Sequence, residues 1–245
     1  MQPDPLTPHA WLTERPLQAG ERLYLIISAA SDAQAIKTLH ETHPAPQLTP
    51  LWSETPYASW EAVMPYLAEI KSNSDFLPWI TATDARDWGW LAVSTSSPEV
   101  VLEHLRSLTQ VRMPNTSEVF FRFWDGRFIH PILEQLGDSA GEILPVFNRY
   151  LINGQCLDVG PRAVPKAKDW PWWEVPQELL DSLTTQNPAP LIDNLLQWLE
   201  DEHPQIYNTC PESNLKLKVT HFVRRPTVEK NRHEALLNYL ILEQG

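Results

Sequence analysis

The residues best equipped for chemistry sit in one short stretch, VFFRFWDGRF, residues 119–128. Arg122, Asp125 and Arg127 form an Arg-x-x-Asp-x-Arg array among aromatic side chains. Two guanidiniums and a carboxylate can bind a ligand carboxylate, polarise a carbonyl, or lock one another in place. His130 follows closely and adds a group able to move protons near neutral pH. Alternation along an extended strand puts Phe121 and Phe123 on one face and Phe120, Arg122 and Trp124 on the other. An arginine on a buried face needs partners, because an unpaired buried charge is very costly. Asp125 stands too close along such a strand for a comfortable pair with Arg122. It can accept from Arg127, or cap a helix that starts at Gly126. Three readings stay open. They are an arginine held in a hydrogen-bond network beside an Asp cap, a site for a partner or ligand carboxylate, and a small hydrolase or transferase built around Arg122 and Asp125.

The rest of the chain offers little to go with this array. No G-x-G-x-x-G, Walker loop or H-E-x-x-H occurs. His40 and His43 could share a metal, but no third and fourth ligand stands at a recognisable spacing. Histidines favoured by the C-terminal end of a helix dipole are the better account of them. Asp84 and Asp87 read as a helix end and turn before they read as an acid–base pair. Glu103 and His104 fit the polar face of a helix. The expectation is therefore a protein with no catalytic, cofactor-binding or metal-ligating residue to assign.

The elements that must position the array read as strands and helices in alternation. Apolar or alternating runs predict strands at 22–28, 64–70, 88–94, 118–124, 146–152 and 155–159. Helices are expected after Asp32, near 75–82, from the Ser97-Pro98 start to about 108, and near 127–136. Asn153-Gly154 predicts a tight hairpin turn. Residues 1–159 thus read as an α/β lobe around a mixed sheet, with some antiparallel content at one edge. Residues 160–176, GPRAVPKAKDWPWWEVP, hold too many prolines for any regular element and read as a linker. Trp170, Trp172 and Trp173 in it are either exposed anchors for a partner or staples between lobes. Residues 177–245 read as a small helical lobe. One helix starts at Asn187-Pro188, another covers NLKLKVTHFVRR, and a last one has Thr227 as its cap. Acids cluster in the first part of this lobe and bases in the second. The two surfaces either neutralise each other, or Arg224 and Arg225 belong to a basic patch for an acidic segment of a partner.

Composition limits the partners. The chain has 245 residues, 42% hydrophobic and 20% charged, with net charge -12. That is ordinary for a soluble globular protein and argues against nucleic acid or an anionic membrane as the main partner. Cys156 and Cys210 form no disulfide or metal pattern, which suits a reducing compartment. The first residues lack the features of a signal peptide, and the apolar run LYLIISAA is too short to span a bilayer. A cytoplasmic location is expected. Glycine is scarce at 8, proline abundant at 23, and tryptophan numbers 11; the first disfavours phosphate-cradling loops, and the last suits a recognition scaffold.

With those residues in view, VFFRFWDGRFIHPIL, preceded by LEHLRSLTQVRMPNTSE, resembles the most diagnostic stretch of the type VI secretion adaptor family. Its members are called Tap or TEC, for effector chaperone, and were first grouped as a domain of unknown function. The resemblance runs through His104, Leu105, Arg106, Leu108, Val111 and Pro114, then Phe121, Arg122, Phe123, Trp124, Asp125 and Arg127. Upstream, LYLIISAA, PLWSETP, MPYLAEI and WGWLAVS follow in the family's order, so that it extends over residues 22–135. Gly126 stands where the family usually has proline, and Trp124 where it often has tyrosine. The resemblance implies a non-enzymatic cytoplasmic adaptor without cofactors. Such a protein binds one toxic effector and helps load it onto the VgrG spike or a tip protein. Arg122, Trp124, Asp125 and Arg127 would be structural or partner-binding residues of the motif. An immunity-type binding protein is the remaining non-enzymatic alternative.

Overall fold

A computed structural model describes residues 5–43, 45–164, 166–225 and 232–242. The chain forms two compact units, Met1–Pro176 and Gln177–Gly245. The first contains, in order, α1 (Pro8–Glu14), β1 (Arg22–Ser28), α2 (Ala35–Thr42), β2 (Leu48–Pro50), β3 (Pro65–Ile70), α3 (Leu77–Ala82), β4 (Gly89–Ser94), α4 (Pro98–Ser107), β5 (Gln110–Arg112), β6 (Glu118–Phe120), α5 (Gly126–Leu136), α6 (Ala140–Ile143), β7 (Arg149–Ile152) and β8 (Gln155–Asp158). The fold is α/β, as the alternation of elements predicts.

A six-stranded sheet in the order β2-β3-β1-β4-β7-β8 forms the core of this unit. β1 sits near its centre because Leu23 to Ile27 are apolar on both faces and buried on both. One face carries Leu23, Leu25, Ile27, Leu91 and Val93 against Trp11, Leu39, Phe76 and Trp88. On the other, Phe147 meets Tyr24, Trp90 and Tyr150 edge to face.

The expected mixed sheet is corrected in one respect. Every strand pair in it is antiparallel. β3 and β4 do run in the same direction, which is what a strand–helix–strand pattern suggests. They flank β1 instead of pairing with each other, so the alternation hides the true partners. A second correction concerns residues 118–124. Only Glu118–Phe120 is strand, and it pairs with β5 in a separate ribbon. Beyond it the chain turns, with Phe123 N donating to Phe121 O and Asp125 N to Arg122 O. Helix α2 also starts later than Asp32 suggests, after Gln34 in a left-handed conformation.

Two turns explain their residues. Asn153 and Gly154 have φ of 52° and 76°, which makes the hairpin between β7 and β8 that the Asn-Gly pair predicts. Gly89 has φ of 141°, and a Cβ there would lie 1.9 Å from Ile26 O on the neighbouring strand. Only glycine lets β4 start beside β1.

The second unit is helical among the described residues: α7 (Gln177–Gln186), α8 (Ala189–Glu202), α9 (Pro204–Tyr207), α10 (Glu212–Val223) and α11 (Arg232–Leu242). Its core is formed by Ile192, Leu195 and Leu199 of α8, Leu215, Val219 and Phe222 of α10, and Leu236 and Leu240 of α11. Asn187 Oδ1 accepts from Ala189 N at 3.2 Å, capping α8 from one residue further out than a standard cap. The segregated charges meet: Lys216 Nζ lies 3.0 Å from Asp193 Oδ1, and Arg232 Nη2 lies 2.9 Å from Asp181 Oδ1. Thr227 and Lys230 lie outside the described residues. No helix among the described residues is long and apolar enough to cross a membrane.

Replacing Gly89 with alanine is expected to destabilise the first unit by about 3 kcal/mol or more, since backbone must move to admit the methyl group. Denaturant unfolding of G89A checks this, and a loss within the ordinary surface range would contradict the close approach.

Candidate functional site

The site is built around a carboxylate, not around the arginine that the sequence singles out. Because the chain turns after Phe120, Asp125 points inward with its side chain 1% exposed, while Arg122 and Arg127 remain about half exposed at 48% and 50%. Arg122 Nη2 donates to Asp125 Oδ2 at 2.9 Å. Arg127 reaches it as a fork, Nε to Oδ1 at 3.1 Å and Nη2 to Oδ2 at 2.8 Å. Arg127 N also donates to Oδ1 at 3.0 Å, so Asp125 is at once the N-cap of α5 and the centre of a two-arginine clamp. The hydrogen bonds to Asp125 push the Arg127 guanidinium further above its already high range. Arg122 lies over the Phe128 ring at 4.9 Å. The tight pairing of Arg122 with Asp125, unexpected for a continuous strand, follows from the turn between them.

Three stretches distant in sequence converge here. Arg106, on α4, donates Nε to Leu51 O at 2.6 Å and Nη2 to Ser53 Oγ at 2.7 Å, fixing the PLWSETP segment. Trp52 of that segment is fully buried and meets Trp124 edge to face at 5.2 Å and Phe120 at 6.0 Å. Trp90, in the centre of the sheet, donates Nε1 to Phe123 O at 2.8 Å. The turn that carries Arg122 and Asp125 is thereby tied to the sheet and to α4. At the rim of the aromatic group Trp60 is 44% exposed and packs on Tyr57 and Phe120.

Sequence reasoning missed several participants. Asp87 lies 3.5 Å from Arg127 Nη2 and accepts from Ser31 Oγ at 2.8 Å, extending the clamp to the loop after β1. Gly126 has a local reason: a Cβ there would lie 2.8 Å from Asn153 Nδ2, so the β7–β8 turn occupies the space a larger residue would need. Arg149 in β7 is buried, 4.9 Å over the Trp11 ring and 3.9 Å from Glu21 Oε2, and burial pulls its guanidinium down. Trp52 and Trp90 were visible only within the family segments PLWSETP and WGWLAVS, and Asp87 only as a helix-end acid; nothing in the sequence ties them to Arg127 or to the turn.

The remaining candidates fall elsewhere. Trp172 Nε1 donates to Ser107 Oγ at 3.0 Å, and Trp173 packs on Phe121 at 5.3 Å, its carbonyl accepting from Arg112 N. Both therefore hold the 160–176 segment to α4 and to the β5–β6 ribbon. Trp170 is half-buried. In the second unit Arg224 is exposed and Arg225 lies over the Tyr239 ring at 4.9 Å. His104 is buried, with Nε2 at 2.6 Å from Ile143 O, and burial lowers its pKa.

For catalysis the geometry offers little convergence. A cleft of about 190 Å³ is lined by residues including Thr81, Asp84, Arg86 and Asn153, and does not reach Arg122, Asp125 or His130. That volume lies below the range of about 300–1,000 Å³ usual for small-molecule sites. One pattern escaped the sequence reading: Gly137-Asp138-Ser139-Ala140-Gly141 spells G-x-S-x-G. A nucleophile elbow needs a strand before the serine and a helix after it. Here the run follows α5, forms a single 3₁₀ turn over Gly137–Ser139, and leaves Ser139 exposed. Among the described residues no three His, Cys, Asp or Glu side chains gather as a metal set.

Comparison with known proteins bears out the resemblance read from the motifs. Residues 23–140 match the family model described as Domain of unknown function (DUF4123). The matched residues hold the sheet strands β1 to β4, the ribbon and the clamp. It is similar to accessory protein VasW of Vibrio cholerae serotype O1, 27% identical over 128 residues, which cover 51% of this chain and 43% of VasW. The match therefore spans less than half of that relative's length. No solved structure matches the chain.

Asp125→Ala is expected to cost about 3 kcal/mol or more, because it removes a buried charge that both arginines hold. Arg122→Ala, losing one half-exposed partner while Arg127 stays, is expected to cost about 1 kcal/mol. Unfolding of the two variants in denaturant checks the order, and a larger loss for Arg122→Ala would contradict it.

His104 predicts a pH dependence. Its folded pKa lies below the unfolded value of about 6.5, so its contribution is complete above that pH and is lost as the pH falls toward the folded value. His130 and His233 are lowered by burial too and act in the same direction. Stability followed from pH 7 to pH 5.5 should fall, and less steeply in His104→Gln. An unchanged slope would contradict the assignment.

Proposed function

We propose that this protein is a non-catalytic adaptor of type VI secretion, which binds a toxic effector in the cytoplasm and promotes its loading onto the VgrG spike or a tip protein. The observation that carries this reading is how the family-diagnostic residues are used. Arg122, Asp125 and Arg127 satisfy one another and cap α5. They thereby fix a turn next to an aromatic rim in which Trp60 is exposed and Phe120 half-buried. A clamp that spends its charges internally suits a scaffold for protein recognition better than a reaction centre, where charged groups face a substrate.

The match of residues 23–140 and the similarity to VasW, an accessory protein, support the same class. Trp170 in the first unit and Arg224 and Arg225 in the second are proposed as further partner contacts. Trp172 and Trp173 are bound within the first unit and contribute to its stability instead.

Co-expression of the chain with type VI secretion effectors and VgrG spike proteins from its own genome, followed by size exclusion, tests the proposal. Elution of the chain with the toxin, the spike or both is the expected result. A lone peak of the chain with neither partner would overturn it.

A further inference from the structure

The β5–β6 ribbon has one covered side and one open side. Phe121 N donates to Thr109 O at 3.0 Å and Met113 N to Ser117 O at 2.8 Å, and the register sets Val111 opposite Val119. That phase makes Val111–Val119 a hydrogen-bonded pair, so the N–H and C=O groups of residues 110, 112, 118 and 120 point away from the ribbon's middle. On the β5 side they are used: Arg112 N donates to Trp173 O at 2.9 Å, and Arg112 O accepts from Val175 N at 2.8 Å. On the β6 side the backbone groups of Glu118 and Phe120 meet no partner among the described residues. Glu118 and Val119 are exposed. An open strand edge is a template for another strand.

The side chains beside that edge specify what could add to it. Glu118 and Phe120 share one face, being two residues apart on a strand. Phe120 packs on Tyr57 at 4.8 Å and on Trp60 at 5.2 Å, and Trp60 is 44% exposed. Arg112 lies 3.8 Å from Glu118 on one side and 3.3 Å from Glu174 on the other. Across the ribbon and the 173–175 segment bridged to it, the face therefore carries a row of alternating charge, Glu174–Arg112–Glu118. Its continuation over the open edge favours a cation, since opposite charges directly across strands attract. Beside Phe120 the same logic favours a bulky apolar residue.

We propose that β6 takes up an extended segment of a partner protein as an added strand, with Lys or Arg opposite Glu118 and an apolar side chain two positions away, on Phe120 and Trp60. Strand addition supplies main-chain hydrogen bonds from Glu118 and Phe120, and the charge and the aromatic rim supply selectivity. The inference rests on the adaptor reading only for who the partner is, namely the effector or the spike.

The test uses the full chain and three fluorescent nonapeptides of β-prone sequence with the cores Phe-x-Lys-x-Phe, Phe-x-Glu-x-Phe and Asp-x-Lys-x-Asp. The symmetric cores serve either strand direction. Anisotropy titration is expected to favour the first by roughly tenfold over each of the others. Glu118→Pro removes an outward N–H but leaves the Val111–Val119 pair intact, and should abolish binding. Glu118→Lys should shift the preference to Phe-x-Glu-x-Phe, and it keeps the test decisive if the proline variant does not fold. Equal binding of the three peptides, binding of none, or full binding by a folded Glu118→Pro overturns the proposal. So does a concentration-dependent dimer of the chain that Glu118→Lys disrupts, because a second copy would then own the edge. Co-purification separates this result from the adaptor reading. A toxin and a spike both held equally by the wild type and Glu118→Lys reject the edge and leave the adaptor standing. A wild type that holds neither toxin nor spike rejects the adaptor, while the peptide series still decides the edge.

Discussion

A carboxylate closed off from water has to be neutralised where it sits, and in this protein that condition falls on Asp125, 1% exposed at the start of α5. Burying it alone would be prohibitively costly. Two guanidiniums and a backbone N–H meet it, and meeting it dictates the local chain path. Residues 121–125 must turn so that Arg122 can reach back to Asp125, and Arg127 must leave the first turn of α5 toward the same oxygens. The aromatic residues between them are then carried into the interior, where Trp90 holds the Phe123 carbonyl and Trp52 packs on Trp124. Arg106 completes the arrangement by binding the loop that carries Trp52.

The same economy bears on function. Charges that pair around a buried carboxylate stabilise the surface they lie in. What they leave at the surface is a rim of aromatic side chains and a short strand edge, both means of holding another polypeptide. The G-x-S-x-G run, by contrast, sits on a helix-to-helix turn, where its serine gains neither the strained geometry nor the partner groups of a nucleophile.

Much of this architecture was legible in the sequence. β1 and β4 announce themselves by apolar runs buried on both faces, and Asn153-Gly154 by the left-handed conformations its turn demands. The cap role of Asp125 and its bond with Arg127 also follow from local spacing. What was not legible depended on contacts distant along the chain. Strand direction was hidden because β3 and β4 flank β1 without touching each other. Arg122 was expected to be buried because aromatic alternation imitates a strand; the turn buries the aromatics by another route and leaves the arginine half exposed. Asp87, Ser31 and Asn153 join the site from loops whose positions no periodicity encodes.

Hydrogen–deuterium exchange of the full chain, alone and with the proposed effector or spike partner that co-purifies with it, tests most directly whether the clamp supports a recognition face. The account predicts that exchange slows on binding in residues 118–120 and 57–63, while the amides of Arg127, Phe128 and Ile129, which donate to Asp125, are equally protected in both states. Unchanged exchange around Trp60 and Phe120, with protection confined to surfaces remote from them, would contradict it.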